Sequence, residues 1–475
     1  MLLPEEFIIR TQSLLGNEWE AFERSLREDT PVSIRLNPRK PTKIEPDQFF
    51  PGVFRKKEIP WATNAYYLSE RPVFTLDPLF HAGVYYVQEA SSMYLEQILT
   101  DRFSGLVKAL DLCAAPGGKS THLSALLPEG SLLLANEVIS SRSRILAENL
   151  TKWGNPHTIV TNNDPKEIGG LSGFFDLVLA DVPCSGEGMF RKDPAAIDEW
   201  STANVRLCAE RQRRIIADVW PALKPGGILV YSTCTYNKEE NEENSSWICS
   251  ELGGKILNGP HRFFPHQTTG EGFFITALQK KEAIASKEDR CHCGLDPQSH
   301  QKEHLITNRL RVKPVMTNIE KRPQKREANN PAPTDLQQAV KWLKSPDEFG
   351  LFMEHSRLRA FPKKHLDAFR EIQSCLRIVS SGVLLGEIKG KDLIPHHSLA
   401  LSTALSETAF PACEVDKKTA LRYLRKETAL DLPSGLPKGY ILLTYGNIPL
   451  GFIKNIGNRF NNLYPAEWRI KMNID

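Results

Sequence analysis

Apolar runs alternate with amphipathic stretches through the middle of the chain, and polar residues follow each run. The runs predicted as buried strands lie at 106–112, 132–135, 157–160, 174–180 and 226–231. Residues 139–153 carry apolar side chains at Ile145, Leu146 and Leu150, which predicts a helix, and Gly154 is its stop signal. This order predicts an α/β fold with a doubly wound, Rossmann-like sheet, whose site lies at the carboxyl ends of the strands.

The first predicted strand ends in a glycine turn that opens a helix. The turn at 113–120 reads CAAPGGKS, and its two glycines let the backbone approach a ligand closely. A phosphate-binding P-loop would require glycine at the position of Cys113. Glu137 follows the turn by about 20 residues. In nucleotide-binding folds, an acid at this distance binds ribose hydroxyls. Because the pyrophosphate fingerprint Gly-x-Gly-x-x-Gly is absent, the sequence favours S-adenosylmethionine as the cofactor.

Further carboxylates and two thiols follow the later strands. Taken singly, Glu137, Asp164 and Asp181 are each compatible with an ordinary loop acid. Together, three acids in register after successive strands favour a ligand site. Cys184 and Cys234 each lie in a polar, turn-rich segment after a strand. This setting indicates reactive thiols rather than the small buried side chains that free cysteines usually are.

Three segments, at 110–120, 181–194 and 223–241, resemble the signature segments of the Nop/Sun family of RNA cytosine-5 methyltransferases. Residues 85–93 resemble the segment ahead of that family's cofactor loop, and the resemblance covers about 31–278. It implies an S-adenosylmethionine-dependent enzyme that methylates carbon 5 of a cytosine in RNA. The reaction that it implies passes through a covalent cysteine–cytosine intermediate.

The resemblance also implies roles for individual residues. Cys234 matches the attacking thiol, Cys184 matches the thiol that aids product release, and Asp181 is expected to face the methyl donor and the cytosine amine. Chemistry alone permits the two thiols to exchange roles, because DNA cytosine methyltransferases attack with a Pro-Cys thiol. The residues implied around the cofactor are Cys113, Ala114, Ala115, Pro116, Gly117, Gly118, Lys119, Glu137, Arg142, Asp164 and Asp181. For Arg142, a solvated helix face is an equally good interpretation.

The C-terminal part resembles the PUA-like RNA-binding module of bacterial family members. Its hairpin is predicted from strands at 439–445 and 448–453 joined by Gly446 and Asn447. Basic residues precede the hairpin at helical spacing, namely Lys417, Lys418, Arg422, Arg425 and Lys426. They line either a phosphate track or a solvated helix face.

An appended RNA-binding module implies a large RNA substrate. By resemblance, 16S ribosomal RNA or the small ribosomal subunit is the first expectation, and transfer RNA is the alternative. A non-catalytic ribosome assembly factor is the hypothesis from another class. Cys184 and Cys234 argue against it, because a binding protein needs neither thiol.

The predicted division of the chain is an N-terminal RNA-binding or lead-in domain at 1–75, a methyltransferase domain at 76–281, a linker or insertion at 282–335, a connecting domain at 336–390 and the PUA-like domain at 391–475. In the lead-in domain, Phe7 is a core candidate, and Arg35 and Arg39 either meet phosphate or are solvated. The linker composition predicts disorder. Its Cys291 and Cys293 lack the Cys-x-x-Cys spacing of zinc sites, so no metal is expected.

Composition sets broader limits. A length of 475 residues suits two to four domains, and a net charge of +3 restricts any nucleic-acid surface to a local patch. No run approaches the roughly 18 apolar residues of a membrane span, and acidic residues interrupt the short apolar start. The nine cysteines are odd in number and scattered, which favours a reducing compartment. We therefore expect a cytoplasmic protein that acts as a monomer.

Overall fold

The computed structural model describes residues 2–44, 50, 53–282, 333–390 and 392–472. Most of the predicted linker, including Cys291, His292, Cys293, His300 and His304, lies outside the described residues. Within the described ranges, no helix has the length and apolar character needed to cross a membrane.

The strands are β1 (Val32–Leu36), β2 (Phe54–Glu58), β3 (Ala65–Leu68), β4 (Tyr85–Val87), β5 (Lys108–Asp111), β6 (Leu132–Asn136), β7 (Thr158–Thr161), β8 (Phe175–Asp181), β9 (Leu223–Thr233), β10 (Gly254–Phe263), β11 (Phe273–Lys280), β12 (Phe349–Glu354), β13 (Arg357–Pro362), β14 (Ile378–Ser381), β15 (Val383–Lys389), β16 (Asp392–Pro395), β17 (Ala412–Glu414), β18 (Gly439–Tyr445), β19 (Ile448–Asn455) and β20 (Phe460–Asn462). The α-helices are Glu5–Leu15, Trp19–Ser25, Pro78–His81, Leu95–Leu99, Gly118–Leu126, Ser140–Trp153, Pro165–Gly169, Ala195–Glu199, Thr202–Val219, Glu242–Glu251, Pro333–Val340, Leu366–Cys375, His397–Leu401 and Lys417–Leu424.

The central sheet has the order β10-β11-β9-β8-β5-β6-β7-β14. Its five inner strands, from β9 to β7, are parallel, and β11, β10 and β14 add antiparallel edges. Successive residues of β8 enter different apolar clusters, with Leu177 and Leu179 in one and Val178 and Ala180 in the other. Burial on both faces explains why the inner strands appear in the sequence as continuous apolar runs. The predicted doubly wound fold is confirmed.

The chain reverses direction across the sheet between β5 and β8. From β5 it proceeds outward through β6 to β7, and then returns to the other side of β5 as β8 and β9. At such a reversal the loops from neighbouring strands diverge and leave a crevice at the carboxyl ends. The crevice at the ends of β5 and β8 is therefore the expected place for a ligand.

Helix Ser140–Trp153 corrects one expectation about the core. Leu146 and Leu150 are buried as the pattern predicts, and Gly154 ends the helix with φ of 86°. The pattern groups Ile145 with these leucines, but half of its surface is exposed. The helical period places position 145 beside the buried face rather than on it.

The N-terminal sheet, with the order β2-β3-β1-β4, extends to Val87, beyond the predicted boundary at residue 75. Phe7 is buried, as expected. Arg35 neither meets phosphate nor is solvated, because only 2% of it is exposed. Its Nε donates to Gln88 Oε1 at 3.0 Å and its guanidinium covers the ring of Trp153 at 4.8 Å. The division into domains stays a prediction.

The C-terminal part contains two four-stranded sheets, β12-β13-β15-β16 and β17-β18-β19-β20. The predicted hairpin is present as β18 and β19, and both turn residues, Gly446 and Asn447, have positive φ as such a tight turn requires. One apolar cluster contains Ile34 and Tyr85 of the N-terminal sheet together with Tyr423 and Ile441. The last sheet therefore packs against the N-terminal sheet in a shared core.

Candidate active site

A pocket of about 170 Å³ opens at the carboxyl ends of β5 and β8. Its lining residues are Tyr86, Val87, Gln88, Glu89, Ser92, Asp111, Cys113, Ala114, Ala115, Pro116, Gly118, Lys119 and Asp181. Gly117 has φ of 116° and a Cβ there would lie 3.3 Å from Leu146, so the tight turn requires glycine. The structure thus brings most of the predicted cofactor loop and Asp181 to one cavity.

Asp111 belongs to this pocket, although it is absent from the site residues that the sequence predicts. It is fully buried, and Ser120 Oγ donates to its Oδ2 at 2.6 Å. Its Oδ1 has no hydrogen-bond partner among the described residues. Burial raises the pKa of Asp111 to about 7. A position at the end of β5, equivalent to that of Asp181 in β8, is the signal that could have identified it.

Glu137 lies at the end of β6 with 3% of its surface exposed. The backbone N–H of Ile139 donates to its Oε1 at 2.9 Å, and an Arg142 nitrogen lies 3.5 Å from its Oε2. Arg142 also donates to the carbonyl of Ala115 at 2.8 Å. Arg142 therefore joins Glu137 to the glycine loop, although about half of its side chain is exposed. Direct contact of either residue with a cofactor stays a prediction.

Asp164 has a local structural role. Its carboxylate caps helix Pro165–Gly169 by accepting from the N–H of Lys166 at 3.0 Å, and Glu167 accepts in return from the Asp164 N–H at 2.9 Å. This reciprocal capping box satisfies helix donors that would otherwise lack partners. The side chain is exposed, and its predicted contact with the cofactor stays a prediction.

Asp181 forms an ion pair inside the pocket. Lys119 Nζ donates to its Oδ2 at 2.8 Å, and Ser232 Oγ donates to its Oδ1 at 2.8 Å. Burial acts to lower the pKa of Lys119, but the attraction of Asp181 outweighs it, and the pKa of Lys119 is raised. The pair therefore presents a carboxylate and a protonated amine at the end of β8.

The thiols of Cys184 and Cys234 lie 3.0 Å apart. They follow β8 and β9, which are parallel neighbours with Asp181 opposite Ser232. The N–H of Cys234 also donates to Cys184 Sγ at 3.3 Å. The hydrogen bond between the two sulfurs and the burial of the site raise the pKa of Cys184 well above its usual value. A protonated Cys184 thiol can donate to a Cys234 thiolate in this arrangement.

Comparisons with known proteins identify the family of the chain. Residues 105–279 match the family described as 16S rRNA methyltransferase RsmB/F, and 3–90 and 410–470 match the N-terminal and PUA domains of methyltransferase RsmF. The chain is 30% identical to the ribosomal RNA small subunit methyltransferase F of Erwinia tasmaniensis, covering 98% of this chain and 97% of that one. The chain belongs to the RsmB/F family of methyltransferases.

Other relatives of this family member support the assignment. The corresponding methyltransferase F of Pectobacterium atrosepticum is 28% identical over 98% of this chain and 95% of its own length. A crystal structure of a methyltransferase homologue from Pyrococcus horikoshii covers 58% of this chain and 95% of its own, with 28% identity and a TM-score of 0.51. The predicted family resemblance and the Rossmann-like methyltransferase fold are confirmed.

The family's methyl donor is S-adenosylmethionine, as the sequence predicts, and the pocket suits it. The donor carries a sulfonium and an ammonium group, and the pocket contains Asp111 with one carboxylate oxygen unpaired within the described part of the chain. Gly118 lines the pocket without a side chain, and a Cβ there would lie at contact distance, 3.4 Å, from the ring of Tyr86. Glu137 is close enough to the loop for Arg142 to bridge them.

Proposed function

We propose that this methyltransferase modifies carbon 5 of a cytosine in 16S ribosomal RNA through a transient bond from Cys234 to the base. The observation that carries the proposal is the pair of thiols, Cys184 and Cys234, held 3.0 Å apart after two neighbouring strands beside the donor pocket. Methylation of a ring nitrogen or an exocyclic amine would require neither thiol, because those nitrogens already carry a lone pair.

Carbon 5 of cytosine is a poor nucleophile and must be activated. The Cys234 thiolate adds to carbon 6, which makes the ring an enamine with a nucleophilic carbon 5. When bound, the donor would supply the methyl group to carbon 5, with S-adenosylhomocysteine as the leaving group. Transfer of the carbon 5 proton to solvent then forms the double bond between carbons 5 and 6 again, and the Cys234 sulfur leaves as a thiolate.

The two thiols have different roles in this scheme. The family resemblance makes Cys234 the attacking group, and the neighbouring Cys184 thiol, 3.0 Å away and with a raised pKa, can donate a hydrogen bond to its sulfur. Cys184 lies within reach of the adduct and assists its release. Asp181 accepts from the cytosine amine, while its ion pair with Lys119 orients this carboxylate.

The substrate class follows from the C-terminal match. A PUA domain at 410–470 supports binding of RNA outside the pocket, and the relatives' names specify the small ribosomal subunit. The target cytosine must leave its stack to reach the thiols, which favours an unpaired or loop position.

The first test identifies the product. Purified protein is incubated with labelled S-adenosylmethionine and, separately, with 16S ribosomal RNA, small subunits and transfer RNA, followed by nucleoside analysis. We expect 5-methylcytidine in the ribosomal samples. If 5-methylcytidine appears only in transfer RNA, then transfer RNA and not ribosomal RNA is the substrate. Its absence from every RNA would favour the assembly-factor hypothesis.

The second test separates the thiols. Cys184→Ala should accumulate a covalent RNA adduct that survives denaturing electrophoresis, because release is impaired, whereas Cys234→Ala should form none. Cys375→Ala, at an exposed position in helix Leu366–Cys375, is the control and should behave as the parent protein. An adduct with Cys234→Ala but not with Cys184→Ala would exchange the two roles.

A further inference from the structure

Two glutamates, Glu187 and Glu240, are buried beside the thiols, with 2% and 0% of their surfaces exposed. Glu187 follows Cys184 in the loop after β8, and Glu240 follows Cys234 in the loop after β9. Carboxylates are seldom buried this completely unless hydrogen bonds compensate for the lost hydration. The donors that bind these two side chains therefore indicate what the glutamates are for.

Glu187 binds the loop that carries the other thiol. Its Oε2 accepts from Thr235 Oγ1 at 2.6 Å and from the backbone N–H groups of Tyr236 at 2.7 Å and Asn237 at 2.9 Å. Its Oε1 accepts from Trp200 Nε1 at 3.0 Å. Three donors thus come from the segment directly after Cys234, although Glu187 belongs to the loop of Cys184.

Glu240 makes the opposite connection. Its Oε2 accepts from the backbone N–H of Ser185 at 3.0 Å, and its Oε1 accepts from Asn237 Nδ2 at 2.7 Å. Gln212, fully buried on helix Thr202–Val219, donates both to Glu240 Oε2 at 2.6 Å and to the carbonyl of Pro183 at 3.0 Å. Glu240 is therefore bound to the residue after Cys184 directly and to the residue before it through Gln212.

The two carboxylates form a reciprocal clamp, by which we mean Glu187 and Glu240 with the loop donors that they bind. Each loop contributes one carboxylate and receives the other. Without these bonds, the loops would be joined mainly through direct contacts such as the N–H of Gly188 with the carbonyl of Cys234 at 2.9 Å. Charged acceptors bind N–H and O–H donors more strongly than neutral ones, so they suit this task.

We propose that Glu187 and Glu240 are positioning residues, which hold the Cys184 and Cys234 thiols at the separation that the reaction needs. The inference deepens the proposed function and rests on it for its kinetic consequence. A nucleophile and its helper lose much of their advantage when their mutual position fluctuates by about 1 Å. Neither glutamate touches the reacting atoms in this scheme.

Glu187→Gln and Glu240→Gln test the clamp. Each change keeps the side-chain size but replaces one acceptor oxygen with an NH₂ group that faces N–H or O–H donors. The single-turnover methylation rate at saturating RNA and donor should fall at least tenfold, while the Kd for S-adenosylmethionine changes less than twofold. Glu243→Gln, at an exposed position on helix Glu242–Glu251, is the matched control and should keep the parent rate.

A second readout reports thiol geometry without RNA. Phenylarsine oxide bridges two neighbouring thiols, so it should protect Cys184 and Cys234 of the parent from alkylation by iodoacetamide. In both Gln variants this protection should weaken, so that the concentration of phenylarsine oxide that gives half-maximal protection rises at least fivefold. Thr235→Val, which removes one hydroxyl donor to Glu187, should give a smaller change in the same direction and serves if a Gln variant does not fold.

These measurements distinguish the two proposals. If the variants keep the parent's arsenical protection and methylation rate, the clamp is wrong even when the parent makes 5-methylcytidine. If protection weakens in the variants but the parent makes no 5-methylcytidine with any RNA, the clamp geometry stands and the proposed reaction is wrong. An equal fall in donor affinity and rate would indicate general damage to the fold and would also contradict positioning.

Discussion

At the residue scale, the carboxylate of Asp111 is a donor-pocket group whose charge changes near neutral pH. It is fully buried, Ser120 binds one of its oxygens, and its pKa is raised to about 7 by burial. The nearby carboxylates of Asp181 and Glu137 raise this pKa further. A cationic ligand reverses the effect, because it stabilises the ionised form.

The affinity for S-adenosylmethionine should therefore depend on pH. Below about pH 7, Asp111 of the free protein becomes protonated and no longer attracts the cationic donor. We expect the Kd, measured by titration calorimetry, to rise by up to about tenfold for each pH unit between pH 7 and 6. Asp111→Asn should bind weakly at pH 8 with little further change at pH 6. A variant whose profile parallels that of the parent protein would contradict this role.

At the element scale, the N-terminal segment holds the end of helix Ser140–Trp153. Asn37 Nδ2 donates at 3.0 Å to the carbonyl of Trp153, and Lys40 Nζ donates at 2.5 Å to that of Lys152. These side chains satisfy carbonyls that the last helical turn leaves without partners. The first turns of the same helix carry Arg142, which contacts the glycine loop. The N-terminal sheet thus supports the donor pocket through this helix.

Gly83→Ala tests this junction. Gly83 has φ of +69°, and a Cβ there would lie 1.9 Å from the carbonyl oxygen of Lys152, so the two backbone segments must move apart. We expect a decrease of about 3 kcal/mol or more in the free energy of unfolding, measured in urea. Gly16→Ala is the matched control, since its φ is +56° but, apart from its own chain neighbours, no described residue has an atom within 4 Å of the added Cβ. Its unfolding free energy should fall by only about 1–2 kcal/mol, and equal decreases in the two variants would contradict the close approach.

At the scale of the whole molecule, burial keeps several histidines neutral. It lowers the pKa of His81, His122 and His396 to about 4, and that of His157 to about 3. An unfolded histidine takes up a proton near pH 6.5. Between these values the unfolded chain binds more protons than the folded one. The stability due to the neutral histidines is therefore complete above pH 6.5 and declines as the pH falls towards 4.

We therefore expect acid to destabilise the protein well before most carboxylates titrate. Each such histidine contributes a slope of up to about 1.4 kcal/mol per pH unit below pH 6.5. Urea unfolding at pH 7.5, 6.5 and 5.5 measures the slope. His81→Gln can keep a donor to the carbonyl of Thr75 and should reduce the slope by about one histidine's share. An unfolding free energy that is constant over this interval would contradict the expectation.

Some of the basic side chains in the predicted phosphate track before the C-terminal hairpin are bonded to other groups of the protein. Arg422 bonds to Glu427 and Asp431 at 2.8 Å each, and Lys426 donates to backbone carbonyls that include that of Asn462. Arg422 thus joins helix Lys417–Leu424 to the segment that follows it, and Lys426 joins that segment to β20. Lys417 and Lys418, in contrast, are exposed on helix Lys417–Leu424.

Changing Lys417 and Lys418 together to Ala should weaken RNA binding. Removing a single phosphate interaction lowers the slope of log Kd against log salt by about 0.7–0.9. Fluorescence titration with 16S ribosomal RNA fragments at several salt concentrations measures this slope. Arg422→Ala is the control and should leave it unchanged, because its charge is already paired. An unchanged slope in the double variant would place the RNA-binding surface elsewhere.

The amino-acid sequence alone determined the five parallel strands of the central sheet and the positions of its chemistry, but not the antiparallel strands β10, β11 and β14. The period of apolar residues and the length of an apolar run are local properties of the sequence. Side chains that follow parallel strands must meet at one edge of the sheet. For this reason Asp181, Cys184 and Cys234 could be assigned to one site before any distance was known. The hairpin at Gly446 and Asn447 is local in the same sense, because its turn depends on two adjacent residues.

Only the tertiary structure decided which distant groups are partners. Arg35 is buried because it bonds to Thr121, 86 positions away, and no local pattern contains that contact. The shared core of the first and last sheets and the clamp formed by Glu187 and Glu240 likewise join segments that are far apart in the chain. Burial and hydrogen bonding between such segments depend on three-dimensional packing, whereas the periodic pattern reports only which face of each element is apolar.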